Sequence, residues 1–372
     1  MPGKVAIVLP PREGFGPHEA GAIGIIVHSL ARHSGGFEPT VIGSAQSAPF
    51  TDVPFRSVRP AWLPANYARR YAGGVAKALD GLVPDLIEVH NRPDLALFLA
   101  RRNPERPVLL ILNNDPHGMR LATTPEQRSE LLATLAKVAT SSAFLRGRLL
   151  NNIPSPDRIP SVLPNPIDLA KIPPSPAERA EKILFVGRIV RDKGADTFVA
   201  ACARALPLLP RWSAEMIGAD RFGPRSPETP FLRALRPLAR QTGVAMSGYR
   251  PNAEVLAAMA RAAIVVMPSR WSEPFGLTAL EALACGAALL CSPRGGLPEV
   301  YGQAAQRIDP DSPAAIAEAI VALAHDPARR AALGEAGRAR AELFAVPRIA
   351  AALEALRTEA LDTWSRGMRR PI

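Results

Sequence analysis

Two glutamates, Glu273 and Glu281, stand eight positions apart, with a Pro274-Phe275-Gly276 turn directly after the first. The second lies in an apolar helical run that starts at Leu277. The apolar stretch Ile264-Val265-Val266-Met267 leads into the segment. The order is strand, loop, helix N-terminus. In open α/β sheets ligands bind beyond the carboxyl ends of the strands, and a helix N-terminus with unpaired N–H groups attracts anions. Carboxylates repel phosphate but accept hydrogen bonds from neutral hydroxyls. A ligand that carries phosphates beside hydroxyls, such as a sugar nucleotide, satisfies both features. Each acid also has a plain structural reading: Glu273 as a cap of the following helix, Glu281 as one residue of a narrow exposed stripe.

A second constellation is Phe185-Val186-Gly187-Arg188-Ile189-Val190-Arg191-Asp192-Lys193-Gly194. An apolar strand ends in glycine, and Arg188 and Lys193 follow before the next helix. A planar guanidinium fork and a compact ammonium can together hold a diphosphate. Taken alone, the pair reads more simply as a turn with solvated charges. The chain has neither the Gly-x-Gly-x-x-Gly dinucleotide turn nor the Gly-x-x-x-x-Gly-Lys-Ser/Thr loop, which argues against a dehydrogenase and a P-loop ATPase. Asp309-Pro310-Asp311 has the form of a metal-binding Asp-x-Asp, but its proline-containing loop reads as a solvated turn. No metal site is expected.

These residues need a scaffold, and the chain supplies two alternations of strand-like and helix-like segments. The first has strands at Lys4–Leu9, Val41–Ile42, Leu86–Val89 and Val108–Leu112. Between and after them are a glycine-rich loop (14–21) and helices at 22–32, 94–101 and 125–137. Two of its strands end in polar clusters, His90-Asn91-Arg92-Pro93 and Asn113-Asn114-Asp115-Pro116-His117. A proline-dense stretch from Ile153 to Pro176 excludes regular helix. A second alternation starts at Lys182, and an alanine-rich helical pattern closes the chain. The reading is an α/β protein with an N-terminal domain over 1–172, a C-terminal domain over 173–350 and a final helix over 351–372, returning to the first domain.

The 372 residues carry a formal net charge of +11, mostly as arginine, and 47% hydrophobic residues. That is enough for two cores. The charge is dispersed and accompanies no recognised nucleic-acid module, so no nucleic-acid partner is expected. No apolar run approaches the roughly 18 residues of a membrane span. Three cysteines without metal-ligand spacing fit a reducing cytoplasm.

Gly187-Arg188, Lys193-Gly194, Gly248, Glu273-Pro274-Phe275-Gly276-Leu277, Glu281-Ala282, Gly286 and Gly295-Gly296-(x2)-Glu299 together resemble glycosyltransferase family 4, over roughly residues 160–300. Asn165-Pro166-Ile167-Asp168 is similar to that family's Asn-Gly-Val-Asp element. Ala20-Gly21-Ala22-Ile23-Gly24 sits where the family has a glycine-rich loop. The resemblance implies a GT-B architecture, two Rossmann-like domains facing across a cleft, and a retaining sugar transferase. It also implies roles. Arg188 and Lys193 would clamp the donor diphosphate, and Glu281 would hold the nucleotide ribose. Glu273 and the amides near Phe275, Gly276 and Leu277 would meet the transferred sugar and its phosphate. Gly21 would let the N-terminal domain approach the phosphates, with Gly248 and Tyr249 near the base. Many relatives end a central strand in a catalytic histidine; here Asn113 takes that position, with Asp115 and His117 just beyond. His90, Asn91 and Arg92 would line the acceptor side.

The resulting expectation is a hexosyltransferase that uses a nucleotide diphosphate sugar and a glycan or lipid-linked acceptor, in bacterial lipopolysaccharide or exopolysaccharide synthesis. It would need neither cofactor nor metal and would act in the cytoplasm. The run Trp62-Leu63-Pro64-Ala65-Asn66-Tyr67-Ala68-Arg69-Arg70-Tyr71 mixes aromatics with arginines. It reads either as an acceptor-side helix or as a contact with the inner membrane face. A sugar-nucleotide epimerase or hydrolase on the same fold, and a non-catalytic nucleotide-sugar-binding module, are the competing classes.

Overall fold

The computed structural model describes residues 2–17, 19–59, 66–156, 158–220 and 228–368, with the side chains of 366–368 excepted. Trp62 to Ala65 and the last four residues lie outside this range. Contacts divide the chain into one unit of residues 1–166 and 346–372 and a second of residues 167–345.

In the first unit the described elements run β1 (Gly3–Val8), α1 (Ala22–Ala31), β2 (Phe37–Ser44), β3 (Phe55–Val58), α2 (Tyr67–Leu82), β4 (Leu86–His90), α3 (Pro93–Arg102), β5 (Val108–Leu112), α4 (Pro125–Thr134), β6 (Lys137–Thr140), α5 (Ala143–Leu150) and β7 (Ser161–Val162). The strands form one parallel sheet in the order β3-β2-β1-β4-β5-β6-β7. β4 and β5 are buried at every position, as central parallel strands covered on both faces must be. The direction of the strand order reverses between β1 and β4, so the loops after these two strands open at the same crevice.

The second unit repeats the plan. It comprises β8 (Ala180–Val186), α6 (Ala195–Ala205), β9 (Ser213–Ile217), α7 (Pro230–Gln241), β10 (Val244–Met246), α8 (Asn252–Arg261), β11 (Ala262–Met267), α9 (Leu277–Ala284), β12 (Ala288–Cys291), α10 (Leu297–Tyr301), β13 (Gln306–Arg307), α11 (Pro313–His325) and α12 (Pro327–Ala341). The sheet order is β10-β9-β8-β11-β12-β13, and the reversal falls between β8 and β11. A last helix, α13 (Val346–Met368), packs on α1, β5 and β6 of the first unit.

Three differences from the expected elements have simple causes. The helix expected over 125–137 stops at Thr134. Lys137–Thr140 instead pairs in parallel with Leu109–Leu112 as β6; a four-residue strand is too short to show a period. The first crossing between units follows Pro166 rather than residue 172, since the Ile167 amide donates to the Phe344 carbonyl at 2.8 Å and ties 167–172 to the second unit. The second crossing precedes Val346, so the chain leaves the second unit a few residues before the expected boundary at 351, while the closing helix begins where its alanine-rich pattern does, at 346. Among the described residues no helix is long and apolar enough to cross a membrane.

Candidate functional site

In the second unit, the two loops at the β8/β11 reversal are locked together. After β8 the chain makes a single 3-10 turn over Arg191–Lys193 and ends it at Gly194. Gly194 has φ 71, and a Cβ there would stand 1.9 Å from the Pro268 carbonyl oxygen, so only glycine lets the two loops approach. The Asp192 carbonyl accepts the amide hydrogens of both Arg270 (2.8 Å) and Trp271 (2.9 Å). Arg270 adds a side-chain bond to Asp196 at 2.7 Å and one to Asp311 at 2.9 Å.

This frame brings the first pair of sequence candidates together. The Lys193 ammonium donates to Glu273 Oε1, and Ser269 Oγ donates to the same carboxylate oxygen at 2.9 Å. Glu273 is 7% exposed, and the Lys193 side chain 22%. Phe275 is buried, and Gly276 (φ 107) opens α9. Arg188 follows directly on Gly187 at the end of β8 and is half-buried. The loop thus presents a cation, a carboxylate and a helix N-terminus from adjacent positions.

Glu281 lies one turn into α9. Asn252 Nδ2 donates to its Oε1 at 2.8 Å. Burial pushes the Glu281 carboxyl above its usual range, and the Asn252 hydrogen bond only partly opposes this. Gly248 and Tyr249 lie past the end of β10. The Gly248 carbonyl accepts from the Gly218 amide at 2.8 Å, and Tyr249 is 46% exposed. Asp309 and Asp311 are exposed, and Asp311 is taken up by Arg270 and Arg294.

The first unit treats its candidates unequally. Asn91, at the end of β4, adopts φ 53, and its Oδ1 accepts the amide hydrogens of Asn113 (2.7 Å) and Asn114 (3.2 Å). It therefore holds the loop after β5. Arg92 makes a fork with Asp94, through Nε at 2.9 Å and Nη2 at 2.7 Å, across the start of α3. Asp115 caps the following 3-10 turn and accepts from Arg148 Nε at 2.9 Å, while His117 Nε2 lies 2.9 Å from the Arg148 carbonyl oxygen. Asp115 and His117 thus both fasten α5. Of these candidates, two have a buried side-chain atom without a hydrogen-bond partner: Asn113, 9% exposed, at Nδ2, and His90, 1% exposed, at Nδ1. They lie on adjacent strand ends.

Sequence reasoning missed Glu13. Gly21 is the N-cap of α1 and has no side chain to serve as a cap. Glu13 takes that part: its Oε1 accepts the Gly24 amide hydrogen at 2.8 Å. Burial raises the Glu13 carboxyl, against the backbone hydrogen bonds from Gly24 and Gly21. The carboxylate thus meets the free amides at the start of α1. The Arg12-Glu13-Gly14 segment was the available signal, an acid preceding a glycine-rich helix start. Glu88 was also missed, because a single glutamate within Leu86–His90 does not disturb an apolar pattern.

Residues 169–340 match the family model of glycosyl transferases group 1. That stretch contains Arg188, Lys193, Glu273 and Glu281 and belongs wholly to the second unit. The D-inositol 3-phosphate glycosyltransferase of Corynebacterium jeikeium is 34% identical over 200 residues, covering 52% of this chain and 47% of that protein. The chain spans about half the length of the curated relatives it matches. Among solved structures, sucrose-phosphate synthase from Thermosynechococcus elongatus aligns with a TM-score of 0.78 at 20% identity, covering 96% of this chain and 99% of that one. Anabaena HepE, solved in complex with UDP, aligns with a TM-score of 0.76 at 19% identity, covering 95% and 98%. The fold is that of the GT-B glycosyltransferases, two Rossmann-like units in one chain.

Proposed function

We propose that this protein is a retaining glycosyltransferase that moves a hexose-type sugar from a nucleotide diphosphate sugar to a hydroxyl of a glycan or lipid-linked acceptor in cell-surface polysaccharide synthesis. The observation that carries the reading is the Lys193–Glu273 pair at the β8/β11 reversal, directly before the N-terminus of α9. The family match over this unit and the UDP held by HepE support a nucleotide sugar as donor.

In this reading Arg188, Lys193 and the first amides of α9 meet the diphosphate. Glu281 accepts from the ribose and Glu273 from the sugar. The sugar C1–O bond to the phosphate breaks, and its electron pair leaves with the nucleoside diphosphate. The acceptor oxygen bonds to C1 on the same face and passes its proton to the departing phosphate oxygen. Fixed cations at the phosphate lower this barrier, since the charge develops there, and no metal ion is required. Asn113 and His90 carry the acceptor side, through Asn113 Nδ2 and His90 Nδ1, neither of which has a protein partner. Asp115 and His117 support the loop from below.

The test begins with a panel of nucleotide sugars in thermal unfolding. A ligand that binds only the folded state at about 100 times its Kd adds about 2.7 kcal/mol of stability. The stabilising donor is then incubated with hydroxyl acceptors, and the anomeric configuration of the product is read by NMR. An inverted product would remove the retaining mechanism. Loss of donor without an acceptor would favour the hydrolase or epimerase, and binding without any turnover would favour a binding module.

The raised Glu281 carboxyl gives a pH dependence. Ribose hydroxyls donate to the ionised carboxylate, so affinity is full above the Glu281 pKa and falls as pH drops through it. Calorimetric titration of the donor across pH should show weakening that starts above the ordinary glutamate value of about 4.3. Glu281→Gln should flatten that limb and bind more weakly at neutral pH. An unchanged profile in the variant would separate Glu281 from the ribose.

A further inference from the structure

We infer that Arg357, on α13, is a positioning residue for His90, acting through Glu88. The inference rests on the reading that the β4 and β5 ends handle the acceptor. Arg357 Nε donates to Glu88 Oε2 at 2.8 Å, and Glu88 Oε1 lies 2.9 Å from His90 Nε2. Arg357, Glu88 and His90 are each 1% exposed. A carboxylate buried in a central strand is stable as an anion only with a partner. Burial alone would push Glu88 up, but the Arg357 charge and the His90 hydrogen bond hold it well below the usual carboxylate range.

An anionic Glu88 can only accept. It therefore requires a proton of His90 on Nε2, and in the neutral ring this leaves Nδ1, the unpartnered atom, as a lone pair. A neutral imidazole in that tautomer accepts a hydrogen bond from a ligand hydroxyl at the carboxyl end of β4. Hydrogen bonds of this kind set the tautomer of a histidine. Without Arg357 the buried carboxyl takes up a proton and donates to Nε2, and the ring changes to the Nδ1–H form. Among the described residues, the other charged groups beside Arg357, Glu88 and His90 are Glu13, from the loop before α1, and Glu354, one turn earlier on α13.

Glu354 provides the control. Its Oε1 accepts the amides of Gly35 (2.5 Å) and Gly36 (2.8 Å) and fixes the same helix without touching Glu88. The experiment reads the His90 ring nitrogens in the 15N-labelled full chain by long-range proton–nitrogen correlation, with His90→Gln to identify the signals. Wild type, Arg357→Lys and Glu354→Ala should show the Nε2–H tautomer, and Arg357→Met the Nδ1–H form. With the stabilising donor and an acceptor, Arg357→Met should lower kcat about tenfold or more at little-changed donor KM. Arg357→Lys should recover most of this, and Glu354→Ala should stay near wild type.

A wild-type ring in the Nδ1–H form overturns the proposal even if Arg357→Met fails to fold. So does an Arg357→Met ring that keeps Nε2–H, or a Glu354→Ala variant that loses as much kcat, which would reduce Arg357 to holding the helix. If wild type consumes no nucleotide sugar, the transferase reading fails by itself, while the spectra still decide the link from Arg357 to His90.

Discussion

Lys193→Ala is expected to lower kcat/KM by about 10²–10³-fold while the protein stays folded, the usual cost of removing one preorganised group that meets developing charge. Lys193 is fixed by its surroundings rather than by its own long side chain. The turn before Gly194, the Asp192 carbonyl and the Pro268 contact leave its backbone one place to be, and Glu273 holds the ammonium. The substitution also leaves the buried Glu273 carboxylate with Ser269 as its one remaining side-chain donor among the described contacts. Some stability is therefore lost, on the order of 1–3 kcal/mol. A second variant separates the two effects. Lys193→Ala combined with Glu273→Gln removes the uncompensated charge and should recover part of the thermal midpoint, but none of the turnover. Steady-state kinetics and thermal unfolding of the two variants decide. A loss of less than tenfold in Lys193→Ala would remove the diphosphate contact from the mechanism. Recovery of turnover in the double variant would mean that the lysine serves only to neutralise the glutamate.

The repeated alternation was legible because parallel strands covered on both faces leave continuous apolar runs, and Leu109–Leu112 and Ile264–Met267 are such runs. The polar residues at their ends were legible for the same reason, since they mark where each strand leaves the core. What each polar residue does there was not. Asn91, Asn113, Asp115 and His117 look equivalent in sequence. The structure spends Asn91 on the loop after β5 and spends Asp115 and His117 on α5. It leaves Asn113 Nδ2 and His90 Nδ1 without a protein partner. That division depends on contacts such as Asp115 with Arg148, 33 positions away, for which no local pattern exists. Glu88 and Arg357 are 269 positions apart, and neither alone signals a buried pair. Glu13 was hidden differently. A carboxylate that caps a helix through space, eleven residues before the amide it binds, falls outside the three-residue spacing of a sequence-readable cap.

Gly295→Ala should be strongly damaging to the second unit's site. Gly295 has φ 64, and an added Cβ would stand 2.2 Å from the Glu273 carbonyl oxygen, 2.5 Å from its amide nitrogen and 2.6 Å from the Ser272 carbonyl carbon. All three are backbone atoms, so no side-chain rotation relieves the overlap. The Glu273 segment cannot simply retreat. Its carbonyl accepts from Gly296 at 2.7 Å, its carboxylate is held by Lys193 and Ser269, and Arg270 and Trp271 are bonded to Asp192. The left-handed backbone alone costs on the order of 1–3 kcal/mol for a non-glycine residue, and the forced shift adds to it. Turnover should fall more steeply than stability, because a misplacement of about 1 Å at a reacting group can cost about 10²-fold. The expected result is a folded protein with a lowered thermal midpoint, donor affinity reduced and kcat down by about 10² or more. Gly73→Ala is the matching control. It lies within α2 with nothing within 4 Å of the added methyl, and alanine there should stabilise by about 0.5–1 kcal/mol with kcat unchanged. If Gly295→Ala instead behaves like Gly73→Ala, then Glu273 does not need its present position, and the sugar must be held by some other group.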